Sequence, residues 1–240
     1  LKIGLVSFVS VVMLITVGFT NCTNTEPSTS RDDGHPAELP IMVDDSLIKP
    51  LRSLENAELQ TKLDEIIRSN KKLAALAKSK RVSIGLVDMR NTNDVKYASI
   101  NGELMMYAAS LPKIAVLLSA TDAIEKGELE ETEEVKADMR LMIAKSNNAA
   151  TTRMIDRVGF EKISTVMQDP QYELYDPKYG GGLWVGKRYA AAGTREGDPL
   201  KNLSHAASAT QVCRYYYLLA FGKLVNYERS KQMLGLYDVS

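Results

Sequence analysis

Two neighbouring segments, RVSIGLVDM (81–89) and DVKYASI (94–100), read as strands, with RNTN as the turn between them. Almost everything else with a clear period is helical. Residues 51–80 place Leu59, Leu63, Ile66, Ile67, Leu73 and Leu76 at helical spacing, which predicts one long amphipathic helix. Further helices are expected over 110–126, 132–146, 148–158, 161–168, 207–224 and 228–237, with Thr132 as a cap and Gly127 and Gly159 as stops. A single hairpin among so many helices needs helices packed on it to be stable. The predicted fold class is therefore α+β: a helical part on a thin antiparallel sheet, with the N-terminal hairpin as its visible portion.

The first twenty residues depart from this pattern. Lys2 precedes an apolar run of roughly the length expected of an export signal or a short anchor. A polar stretch rich in Ser, Thr, Pro and Asp follows. Residues 1–21 are read as a signal or lipoprotein segment, 22–50 as a flexible tether, and 51–240 as the folded domain. Cys22 stands where lipidation would occur, although Asn21 before it is bulkier than the usual small residue; plain secretion and an uncleaved anchor remain open. The expected location is the bacterial periplasm or envelope, with membrane contact only through this segment or its lipid.

Charge and metal-ligand counts exclude several classes. Lys plus Arg and Asp plus Glu are 30 each, so no basic excess invites nucleic acid. Two cysteines and two histidines argue against a Cys/His zinc centre. They also limit any Ser-His-Asp arrangement to His35 and His205. No metal or cofactor is expected, and the chain is read as a monomer. Residues 169–205 hold six glycines and three prolines and lose periodicity; a connection this long points to function. Its aromatics Tyr172, Tyr175, Tyr179, Trp184 and Tyr189 strengthen that reading.

The chemistry centres on YAASLPKIAVLLSATDAIEKG (107–127). Ser110 before an apolar helical run is either an N-cap or a nucleophile. Lys113 lies three residues on, within reach of its hydroxyl if both share a helical turn. A lysine in a dry helix terminus loses its proton more readily and becomes a base. The Ser110 N–H, at the positive helix end, would be an oxyanion donor. By itself S-x-x-K is a common pattern. It gains weight from KSNNAATTRMIDRVG (145–159), which puts Ser146-Asn147-Asn148 between two predicted helices.

S-x-x-K on a helix after a hairpin, followed by S-x-N on a helix-to-helix loop, resembles the penicillin-recognising serine enzymes, the class A β-lactamases in particular. SATQVCRYYYLLAFGKLV (208–225) also resembles the helix after that family's active-site loop. The resemblance implies that Ser110 attacks the lactam carbonyl, that Lys113 takes the proton, and that Ser146 protonates the departing nitrogen. It implies that Asn148 binds the substrate amide and helps position Lys113. The implied partners are small molecules, a β-lactam or a peptidoglycan peptide. A serine β-lactamase, a DD-peptidase or penicillin-binding protein, and a non-catalytic envelope lipoprotein all follow from it.

Three departures from the family pattern stand out. Asn147 replaces the middle Asp. Glu196 lies in the region of the family's water-activating glutamate, but Leu200 and Asn202 do not complete E-x-x-L-N. No K-T-G or K-S-G appears among the 240 residues, so the chain is expected to lack the closing strands, with low stability and little turnover. Ser164 is a lesser candidate because it falls within a helical pattern, and His205 is expected to bond locally.

Overall fold

A computed structural model of the chain describes residues 10–16 and 39–237. The rest of the expected signal and tether, with Cys22 and His35, lies outside them. The described residues form an α+β fold. Strand β1 (Ser10–Thr16) pairs in parallel with β2 (Val82–Asp88), and β2 pairs antiparallel with β3 (Lys96–Ile100), Ile84 facing Ile100 and Asp88 facing Lys96. The sheet is thus more than the expected hairpin. Part of the segment read as an export signal supplies its third strand.

Both faces of β2–β3 are covered. Helix α1 (Ala57–Ser69) sets Leu63 and Ile67 against Val82, Ile84 and Ala98. The opposite face, with Val87 and Tyr97, meets α7 (Ala209–Ala220), where the Tyr97 hydroxyl is 2.8 Å from Thr210 Oγ1. The approach is close enough that a Cβ on Gly85 would run into Cys213 Sγ. The alternation of the strands thus serves two helical layers.

Helix α3 (Lys113–Glu125) runs through the main core, and every residue from Lys113 to Ile124 is buried. A helix apolar all round belongs in an interior. It packs against α4 (Glu133–Ala144), α5 (Asn148–Val158) and α6 (Phe160–Gln168). Helix α8 (Tyr227–Gly235) lies near its far end. Residues 39–50, expected to belong to the tether, dock instead: the Ile41 N–H donates to Ala220 O at 2.8 Å, and the Tyr227 hydroxyl to Pro40 O at 3.0 Å.

Three other expectations need correction. The long helix over 51–80 is broken into α1 and α2 (Lys71–Lys78), because Asn70 adopts extended backbone and its side chain caps Leu73 N–H. Such a cap satisfies a first-turn donor at little loss of buried area. The loop over 169–205 contains β5 (Tyr175–Asp176), β6 (Gly181–Gly182) and β7 (Trp184–Val185), with β8 (His205–Ala207) at its end. Strands of two or three residues are too short to leave a period in a sequence. β8 lies between β7 and β4 (Met106–Tyr107), which joins the loop to the segment leading into Ser110. Finally, α3 begins at Lys113, not Ser110.

Candidate active site

Ser110 lies in the turn that delivers the chain from β4 to α3. The Ala108 N–H donates to His205 O at 3.1 Å, extending the β4–β8 ladder. Ala109 is then left-handed, with φ 48°. The Leu111 N–H bonds Ala108 O and the Lys113 N–H bonds Ser110 O at 3.2 Å, a tight i to i+3 pattern. Pro112 occupies the N-cap position without a side-chain cap. The Ser110 side chain is exposed and, among the described residues, makes no hydrogen bond. It is not the helix cap, and the direct hydrogen bond expected between its hydroxyl and Lys113 is not made.

The Lys113 side chain is buried and turns to the α4–α5 junction. Its Nζ lies 2.5 Å from Ser146 O, 3.0 Å from Ser146 Oγ and 2.8 Å from Asn148 Oδ1. Three acceptors match the three protons of an ammonium. No carboxylate pairs with it among the described residues. Burial pulls the Lys113 pKa below its ordinary value, because a charged amine loses hydration there.

The junction is built for this contact. Ser146 is left-handed, with φ 49°, a conformation that costs a non-glycine residue roughly 1–2 kcal/mol. Its carbonyl and its hydroxyl both reach the same Nζ. Asn147 caps α5, its Oδ1 accepting from the Ala150 N–H at 2.9 Å. This local role accounts for an Asn where an Asp was expected: either side chain offers the oxygen. Asn148 is then the first helical residue, on the same side as Ser146.

The loop covers the lysine from another direction. The Tyr189 ring centroid is 4.8 Å from Lys113 Nζ, and the Tyr189 hydroxyl donates to Ala109 O at 3.0 Å. His205 stacks on Tyr189 with centroids 4.2 Å apart, and its Nε2 is 2.9 Å from Lys187 O. Burial lowers the His205 pKa, with the Lys187 and Lys113 charges adding to that and the Lys187 carbonyl opposing it. His205 therefore bonds locally, as expected. Ser164 bonds its own helix through Glu161 O.

Glu196 is not part of this cluster. Its N–H bonds Gly186 O at 2.6 Å and its carbonyl accepts from Trp184 Nε1 at 2.9 Å. Among the described residues its carboxylate has no hydrogen-bond or ion-pair partner. The loop carboxylate with a structural role is Asp198, which accepts from the Leu200, Lys201 and Leu203 N–H groups.

A family model described as the beta-lactamase enzyme family matches residues 65–140 and 134–238, most of the chain. The chain belongs to that family. No curated protein matches it significantly. The matched spans of the beta-lactamase family hold Ser110, Lys113, Ser146, Asn148 and the loop with Tyr189. Membership supports hydrolase chemistry of the β-lactam kind in general. Two of the four expected site residues, Ser146 and Asn148, meet Lys113 side chain to side chain, while Ser110 joins it through the backbone. Tyr189 was visible in the sequence only as one of several loop aromatics. Nothing in its spacing tied it to a lysine 76 positions earlier.

Proposed function

We propose that the chain is a class A-like serine enzyme that opens β-lactams by acylating Ser110. One observation carries the reading: a buried lysine that has no carboxylate partner among the described residues and is held by the serine and asparagine of an S-x-N junction. On this reading the Ser110 oxygen attacks the lactam carbonyl while its proton passes to Lys113. All three Lys113 protons are engaged, so the amine must first release one to solvent before it can take the Ser110 proton. Of its three partners only the Ser146 hydroxyl can donate as well as accept. That makes Ser146 the group able to give its own hydroxyl proton to the departing nitrogen while it takes from Lys113 the proton that came from Ser110. Asn148 holds the amine and faces the open side, where a substrate amide can bind.

A second reading, a DD-peptidase or penicillin-binding protein that releases the acyl group slowly, draws on the placement of Glu196. Among the described residues its carboxylate has no partner, and the loop presents Tyr189 rather than a carboxylate to Lys113. Fluorescent penicillin, followed by gel separation, tests acylation: label on the wild type and none on Ser110→Ala is expected. An unlabelled folded protein rejects both readings and leaves a non-catalytic envelope protein. A chromogenic cephalosporin separates the two enzymes, steady turnover favouring the first and a stoichiometric burst the second. If steady turnover occurs, Glu196→Gln measures whether that carboxylate contributes.

The apolar run ahead of residue 21 and the polar stretch after it support export to the envelope. Cys22 is the lipid site if the segment is cleaved, in which case β1 leaves the sheet; β1 is kept if it is not. Fractionation of cells making the full chain, with and without Cys22→Ser, checks this.

A further inference from the structure

We propose that Tyr189 is a positioning residue for the acylation step: its ring supports the Lys113 side chain and its hydroxyl fixes the backbone that presents Ser110. The proposal rests on the reading of Ser110 and Lys113 given above.

Tyr189 touches both halves of the machinery. The ring lies 4.8 Å from Lys113 Nζ, inside the distance at which an aromatic face attracts a cation. The hydroxyl donates to the carbonyl of Ala109, the residue before Ser110. Ala109 holds a left-handed φ of 48°, which for a residue with a Cβ persists only where its surroundings enforce it. The Tyr189 hydrogen bond is one such constraint. The ring is held from behind by His205, itself fixed on Lys187 O two residues before Tyr189. Arg188, the residue before Tyr189, is ion-paired with Asp156 of α5. Tyr189 is therefore anchored to the loop, to β8 and to the Ser110 turn together.

The groups facing Lys113 leave the ring without a substitute. The α4–α5 junction offers Ser146 and Asn148, both neutral. From β8 comes His205, whose pKa is lowered by burial; the Tyr107 ring of β4 and the Lys187 charge lie behind it, against His205 and not against Lys113. None is an anion. The Tyr189 hydroxyl is itself raised well above its ordinary range by burial and stays a donor. Loss of the ring should thus disfavour the charged form of Lys113, whereas loss of the hydroxyl alone should disturb only the Ser110 turn.

The test uses the full chain with ¹³C/¹⁵N-labelled lysine, the Lys113 side-chain signal being assigned by its absence in Lys113→Ala. Its titration midpoint is followed by NMR in the wild type, Tyr189→Phe and Tyr189→Leu, alongside the rate of labelling by fluorescent penicillin. Tyr189→Leu is expected to move the midpoint down by about half a unit or more. Tyr189→Phe should leave the midpoint in place and slow labelling several-fold. Tyr189→Met, unbranched at Cβ and without a ring, takes the place of the leucine variant if that one does not fold. An unmoved midpoint in the ring-less variant overturns the role of the ring. A Phe variant labelled at the wild-type rate overturns the role of the hydroxyl. A wild type that takes no label rejects the Ser110 reading instead, while the Lys113 midpoints still decide the ring.

Discussion

Lys113 and Ser146 meet twice: one Nζ lies 2.5 Å from the serine carbonyl and 3.0 Å from its hydroxyl. Thirty-three residues separate them, and they come from the N-terminus of a core helix and from the link between two others. The double contact ties the amine's orientation to the backbone of the junction as well as to a rotatable side chain. A lysine that is buried without a counter-charge among the described residues depends on such neutral acceptors.

Lys113→Ala should therefore abolish function without unfolding the protein. Its acceptors sit on exposed residues, where water can replace the amine. Labelling by fluorescent penicillin is expected to fall by about 10²-fold or more, the usual contribution of a general base. The melting temperature should move little. In the wild type the acylation rate should rise with pH as Lys113 deprotonates, at a pH below that of an ordinary lysine because burial lowers its pKa. A rate unaltered by Lys113→Ala would remove the lysine from the mechanism.

His205 gives stability a pH dependence of definite sign. Its folded pKa is lowered, so on acidification the unfolded chain takes up the proton first, near pH 6.5. Stability should be complete above that point and decline as pH falls through 6.5 toward the lower folded value. Thermal melts at pH 7.5 and 5.5 should differ less in His205→Gln, which keeps a donor for Lys187 O, than in the wild type. Equal differences would show that His205 does not contribute.

Asp138 on α4 clamps α5 and, through it, the Ser146 junction. Its carboxylate is buried and receives Arg153 and Arg157, each with an approach of 2.5 Å. The two arginines hold its pKa below the usual carboxylate range, against the opposing effect of burial. Arg153 is nearly half exposed, which weakens its share through solvent screening. Asp138→Ala is expected to cost about 2–3 kcal/mol, lowering the melting temperature by roughly 4–12 °C. Differential scanning calorimetry checks the loss. Acylation should slow in the same variant, because the α4–α5 angle sets where Ser146 meets Lys113.

Asn147 is a helix cap, and its two substitutions test whether it is anything more. Asn147→Asp keeps the oxygen that accepts the Ala150 N–H and adds a negative charge at a helix N-terminus. It should match or exceed wild-type stability by a few tenths of a kcal/mol and retain the acylation rate. Asn147→Ala should lose about 1 kcal/mol. Chemical denaturation with parallel labelling assays tests both. An aspartate variant that loses acylation would mean that the Asn147 amide N–H₂ is needed.

Several features of this protein were fixed by its sequence acting locally. The β2–β3 hairpin and the helices with caps at Thr132, Asn147 and Ser208 follow from periodicity and from side chains that bond backbone within three residues. The serine-lysine and serine-asparagine pairs were legible for the same reason, since each lies within one short segment. Tertiary structure alone decided that Lys113 turns from Ser110 to Ser146 and Asn148, and that Tyr189 covers it. It also decided that strands of two or three residues assemble β4, β8 and β7 into a sheet beneath the Ser110 turn. The physical reason is range. A cap or an amphipathic stripe is settled by neighbours in the chain, whereas the direction of a buried ammonium depends on which distant carbonyls replace its lost water.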